Sequence, residues 1–136
     1  MLQFVRFFSE EQACSMGGTA FIGMISITGL ESSDAPLQEG WGTVLRLKFD
    51  DVEKEWQGYI PMTEEQADAV IDWLAVNEDL LKGIYVHCAQ GISRSAGVAR
   101  FIGDTYGLLV DSQKSKDYNR HVYSLLTQRL KERKGG

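Results

Sequence analysis

The chain has 136 residues, 43% hydrophobic and 24% charged, the composition of one folded domain over 1–136 and not of a disordered tail. Nineteen acidic residues against fourteen basic give a net charge of −5, a poor match for a nucleic-acid backbone or an anionic membrane. Two cysteines, Cys14 and Cys88, are too few for a disulfide scaffold, and a chain of this length buries a core without one.

Residues 3–8 carry β-formers in loose alternation and are expected to form a short strand. Ser9 and Gln12 have the spacing of a capping box, so a helical turn follows, ended by Gly17-Gly18. Residues 20–28 are apolar and β-branched, a candidate buried strand. Residues 29–42 mix Ser, Asp, Pro and Gly and are expected to be a long loop. Residues 43–49 alternate as a third strand, with Val44, Leu45, Leu47 and Phe49 assigned to the core. Residues 50–60 are acidic and aromatic, a surface loop.

Thr63 and Gln66 form a second capping box, opening a helix whose Ala67, Val70, Ile71, Leu74 and Ala75 share one face. That helix frays toward Asn77 and stops before Gly83; residues 84–87 then suit a buried central strand. A helix is expected over 95–106, ended by Gly107. The last helix is expected over 116–134, with Tyr118, Val122, Leu125, Leu126 and Leu130 as its apolar stripe. Its basic end complements the helix dipole as a solvated terminus. The pattern implies an α/β domain, a central mostly parallel sheet flanked by helices, with its binding crevice at a strand's carboxyl end.

The chemistry concentrates in residues 85–95, Tyr-Val-His-Cys-Ala-Gln-Gly-Ile-Ser-Arg-Ser. Cys88 leaves the buried strand and Arg94 opens the following helix. The loop between them, Ala89, Gln90, Gly91, Ile92 and Ser93, can turn its N–H groups toward one point as an anion nest, with Gly91 supplying the φ freedom. The helix N-terminus aims at the same point, and Arg94 adds a planar fork for two oxygens of a phosphate. The same surroundings favour thiolate over thiol at Cys88. Ser95 can donate to the sulfur and ease its departure. His87 points away along the strand and is expected to organise the loop. The bland reading of Cys88 is a structural cysteine at a strand end.

The run HCAQGISRSAG closely resembles the signature of cysteine-dependent protein tyrosine phosphatases, and its GISRS form looks most like the dual-specificity branch. The resemblance covers residues 43–106 best. The mid-chain position of Cys88 is unlike that of the low-molecular-weight phosphatases. The resemblance implies a protein-tyrosine-phosphatase-like fold with the phosphate loop between a central strand and a helix. It implies two-step hydrolysis through a cysteinyl-phosphate, with Arg94 and the loop holding the phosphoryl oxygens.

Such chemistry needs a carboxyl group on a loop that can reach the nest, to protonate the leaving oxygen. Asp50 and Asp51 both meet that need. Alignment of the LRLKFDD segment on the family's pattern favours Asp51; Asp50 is the runner-up and Asp34 a distant third. Trp56 and Tyr59 either pack on a phosphotyrosine ring or, as is commoner for loop aromatics, anchor the loop to the body. Glu53 and Glu55 would repel highly acidic substrates.

The expected activity is that of a metal-independent phosphomonoesterase on protein phosphotyrosine, extending to phosphoserine or phosphothreonine. Two alternatives stand beside it: a non-catalytic phosphate-recognition module, and a phosphatase of a small-molecule or lipid phosphate ester. No Cys/His cluster has zinc spacing, so no metal and no cofactor are expected. Cys14 is expected to be a small buried residue, with a disulfide to oxidised Cys88 as a second possibility, and His121 a boundary residue. Partners are a phosphorylated protein or small phosphate ester, not nucleic acid or membrane. The N-terminus lacks a signal-peptide pattern, so a cytoplasmic monomer in a reducing compartment is expected.

Overall fold

A computed structural model describes residues 1–135, one short of the end of the expected domain. Four strands, β1 (Phe4–Ser9), β2 (Ile22–Thr28), β3 (Thr43–Lys48) and β4 (Gly83–Cys88), form one sheet in the order β1-β4-β2-β3, every pair parallel. Four helices accompany them: α1 (Glu10–Ser15), α2 (Glu64–Asn77), α3 (Arg94–Tyr106) and α4 (Arg120–Gly135). The central strands read as near-continuous apolar runs because both their faces are covered: every residue of β2 is buried, and all of β4 except Tyr85.

Alternation along β4 separates two layers. Ile84, Val86 and Cys88 join Val5, Ile25, Ile27 and Leu47 in the core under α2, α3 and α4, which contributes Val122 and Leu126. Tyr85 points to the opposite face, where Phe4, Phe8 and Trp41 surround it edge-on or tilted. Arg129 ties α4 to α2 through a two-pronged bond to Asp68, at 3.0 and 2.9 Å. These carboxylates and guanidinium groups are solvent-reachable, so the pair aligns the helices more than it stabilises them.

Both capping boxes form. The Ser9 hydroxyl accepts from the Gln12 N–H and the Thr63 hydroxyl from the Gln66 N–H, and each glutamine side chain accepts the cap residue's own N–H. The Ser9 cap holds the turn that carries the chain from the end of β1 into α1.

Some sequence expectations need correction: Ala75 is exposed at the edge of the α2 face that Ala67, Val70, Ile71 and Leu74 bury, and the buried strand expected over 20–28 begins at Ile22, leaving Phe21 exposed. Val44 is 38% exposed, because β3 is an edge strand and its outward face is thinly covered. The last helix begins at Arg120, not at 116. Asp111 accepts the Gln113 and Lys114 N–H groups, starting a run of turns, and Tyr118 lies between the guanidinium groups of Arg100 and Arg120, at 4.4 and 3.9 Å. Tyr118 is therefore not part of the α4 stripe. Thr63→Ala removes a hydroxyl cap while leaving the core intact, and is expected to cost about 1 kcal/mol of unfolding free energy, read by urea denaturation.

Candidate functional site

In the β1/β4 register Ser9 stands opposite Cys88, so the end of β1 and the sulfur lie at one level of the sheet. The loop from 89 to 93 then turns over the end of β1. Gly91 sits at φ +71°, and a Cβ there would fall 2.5 Å from the carbonyl carbon of Phe8 and the amide nitrogen of Ser9. Only glycine meets both conditions. On the other side the Glu10 N–H donates to the Ala89 carbonyl at 3.2 Å, fastening α1 to the loop.

Cys88 is buried, with its Sγ 3.2 Å from the Ser95 Oγ. Burial pushes the thiol pKa up and is the largest single influence on it. Against this act the Ser95 hydroxyl, the backbone N–H groups of Ser95 and Gly91, and the Arg94 charge; together they bring Cys88 below the ordinary thiol value. The Ser95 N–H belongs to the first turn of α3, where amides have no helical partner.

His87 lies on the opposite face of β4, as alternation requires. Its Nδ1 is 3.3 Å from the Cys88 carbonyl and its Nε2 is 2.6 Å from the Ser26 hydroxyl. A carbonyl only accepts, so Nδ1 carries the proton and Nε2 accepts from Ser26. Burial lowers the His87 pKa, which keeps the ring neutral in this role.

Arg94 is 8% exposed. Its Nη1 donates to the Phe49 carbonyl at 2.8 Å, at the end of β3. Its buried Nε has no partner among the described residues. A guanidinium anchored in this way presents its Nε/Nη2 edge, the edge that matches two oxygens of one anion. Gln90 and Ile92 are exposed and are not among the residues that line the cleft with Arg94.

The two adjacent aspartates diverge. Asp50 accepts the Leu30 N–H at 3.1 Å and the Ile60 N–H at 3.0 Å, one on each carboxylate oxygen, and so pins the loop. Asp51 turns to the 89–93 loop, where its Oδ1 accepts from the Ser93 hydroxyl at 2.7 Å, and it also accepts from the Asn119 amide at 3.0 Å. Asp34 pairs instead with Lys48 at 3.1 Å and does not line the cleft.

That cleft holds about 420 Å³. Asp51, Arg94 and Ala89 line it together with Thr28, Trp56, Tyr59 and Glu10. Trp56 and Tyr59 close a two-residue turn through Gln57 and Gly58, both at positive φ, and exchange their backbone hydrogen bonds across it. Their rings stack at an interplanar angle of 15° and remain 54% and 50% exposed. They are thus a projecting wall of the cleft, and the reading of them as anchors into the body is corrected.

Glu53 is occupied elsewhere, accepting the Arg120 N–H at the start of α4 at 2.8 Å. The carboxylate that does line the cleft beyond the aspartates is Glu10, which sequence reasoning passed over because only the fold brings α1 to the loop. Asn119 was also missed. Its signal was local: Asn is a preferred N-cap, and it stands immediately before Arg120.

Both thiols are free, and Cys14 is only part-buried. His121 donates from Nε2 to the Met62 carbonyl at 2.8 Å, at the α2–α4 boundary. Among the described residues no group of three or more His, Cys, Asp or Glu side chains is placed to hold a metal, and no helix is long and apolar enough to cross a membrane.

No family model matches the chain, and no curated protein matches it by sequence. Solved structures do match its fold. A human tyrosine phosphatase-like serine/threonine/tyrosine-interacting protein superposes with a TM-score of 0.56 at 19% identity, over 86% of this chain and 79% of that one. Human DUSP28 superposes with a TM-score of 0.57 at 16% identity, over 96% and 94%. The fold is that of the small dual-specificity-phosphatase-like domains.

The electrostatics at Cys88 have a direct readout. The pH midpoint of Cys88 alkylation by iodoacetate, followed by peptide mass mapping, is expected below that of an ordinary thiol, and that of Cys14 above it, since burial and Glu10 raise the latter. Ser95→Ala is expected to move the Cys88 midpoint up. A Cys88 midpoint unchanged by that substitution would count against the hydroxyl's role.

Proposed function

We propose that the protein is a metal-independent phosphomonoesterase that hydrolyses phosphotyrosine in proteins through a cysteinyl-phosphate, with Cys88 as nucleophile, Arg94 and the 89–93 loop as phosphate binders, and Asp51 as the acid. The observation that carries this reading is the pairing of a pKa-lowered Cys88 with the unpartnered Nε of Arg94 beside it. A phosphate module without turnover needs the arginine and the loop. It needs neither a thiolate nor a carboxyl group held at the loop's rim, and Asp51 is held there by Ser93.

In the first step the Cys88 thiolate attacks phosphorus in line. The phosphorus–oxygen bond to the leaving group breaks, and Asp51 gives its proton to that oxygen. In the second step water attacks phosphorus, Asp51 takes a water proton, and the sulfur–phosphorus bond breaks to return the thiolate. Ser95, at 3.2 Å, stabilises that departing sulfur. Arg94 and the loop amides meet the equatorial oxygens in both steps.

The stacked Trp56 and Tyr59 favour an aryl ester over a short alkyl one, since they offer a flat apolar face within the cleft. The stretch from Ala89 to Ser93 carries no basic side chain, which disfavours a multiply phosphorylated lipid headgroup. A thiolate nucleophile also calls for a reducing compartment, consistent with the cytoplasm.

Purified protein is expected to hydrolyse p-nitrophenyl phosphate in the presence of a chelator, and Cys88→Ser to abolish turnover; activity surviving that substitution would sink the mechanism. Arg94→Lys is expected to lose about 10²–10³ in kcat, because an ammonium cannot reproduce the two-oxygen fork. Trp56→Ala is expected to raise KM for a phosphotyrosyl peptide more than for a phosphoseryl one.

A further inference from the structure

We infer that Asn119 is the positioning residue that holds Asp51 over the phosphate loop, and that it dictates which carboxyl oxygen delivers the proton; this rests on the reading of Asp51 as the acid. Asn119 is only 4% exposed, although it lies outside the loop and outside the segment that carries Asp51. Its Oδ1 accepts the Val122 N–H at 3.0 Å, the N-cap bond of α4. An N–H only donates, so the amide cannot be flipped, and the NH₂ group must face the other way. There it donates to Asp51 Oδ1 at 3.0 Å and to the Val52 carbonyl at 3.2 Å. Its backbone N–H donates to the Ser93 carbonyl at 3.0 Å. One residue thus joins the phosphate loop, the acid-bearing loop and the start of α4.

The need for such a clamp follows from where Asp51 sits. It lines the cleft beside Arg94, and it also lines an adjoining hollow of about 590 Å³ bounded by Asn119, Ser93, Tyr118 and Arg120. A carboxyl group between two open spaces has rotamers that serve only one of them. The Ser93 hydroxyl, a rotor on the loop itself, gives one bond. The Asn119 amide is fixed by its cap and gives the second, rigid one. Both donors meet Oδ1, and an oxygen accepting two hydrogen bonds is a poor site for a proton. The proton therefore resides on Oδ2, and that oxygen serves the leaving group in the first step and the water in the second.

The test separates this role from helix capping. Asn119→Asp and Asn119→Ser both retain an N-cap acceptor for α4 and lose the amide donor to Asp51. Each is compared with wild type on phenyl phosphate, a poor leaving group, and p-nitrophenyl phosphate, a good one, alone and in an Asp51→Ala background. In both variants the ratio of kcat for phenyl to p-nitrophenyl phosphate is expected to fall about tenfold at little change in KM, a part of the roughly 10²–10⁴ an acid supplies. In the Asp51→Ala background the substitutions are expected to change that ratio no further. Equal losses on both substrates, or an added fall in the ratio without Asp51, overturn the positioning role even where Asp51→Ala alone discriminates between substrates. If Asp51→Ala does not discriminate, the acid assignment itself falls, and this inference falls with it.

Discussion

Gly91 rests with its α-carbon against the backbone of Phe8 and Ser9, in a left-handed conformation, leaving no room for a side chain. Because β1 and β4 run parallel with Ser9 opposite Cys88, this contact lies beside the sulfur. The chain can then turn only over the end of β1, which brings the Gly91 N–H back toward Cys88 and starts α3 with its first amides aimed at the same point. Arg94 arrives at the helix start and reaches across to Phe49 at the end of β3. The loop is thus tied to the strand that leads into the segment carrying Asp50 and Asp51.

Within that frame burial and polarity oppose each other at the sulfur. A thiol sealed in an apolar core stays protonated. Here the strand end seals Cys88, yet two N–H groups, one hydroxyl and one guanidinium outweigh the loss of solvent. The same local groups explain how a chain with a net charge of −5 offers a place for an anion. A charge count averages over the whole surface, whereas oriented amides and one buried arginine act over a few ångströms with little water to screen them.

What could be read from the sequence was whatever local geometry encodes. Both capping boxes, the apolar runs of β2 and β4, and the Cys88–Arg94 spacing depend on neighbours within a turn of chain. The start of α4 was marked only by Asn119, since residues 116–119 hold no Gly or Pro, while Tyr118 packs between the remote Arg100 and the nearby Arg120 outside the helix. The Trp56–Tyr59 turn was hidden because it uses Gln57 at positive φ, a conformation that glycine or asparagine would have signalled. Glu10 comes to the site through tertiary packing alone, and Asn119, though marked locally as an N-cap, meets Asp51 only through the fold.

Asp50 and Asp51 show how environment separates two chemically identical neighbours. The chain bends at Asp51, where the Val52 N–H donates to the Asp50 carbonyl at 2.9 Å, and the two side chains leave the bend in different directions. One carboxylate therefore turns inward to the amides of Leu30 and Ile60, and both its oxygens are used in fixing the loop. The other is left at the rim of the cleft, with both of its side-chain hydrogen bonds from the described residues falling on Oδ1. A carboxyl group can act as a proton donor at a site only if it keeps an oxygen free there while its position is fixed. Asp51 meets both conditions because Asp50 has already immobilised the backbone it hangs from. The pair works as one device: the first residue supplies the rigidity that makes the second one's freedom useful.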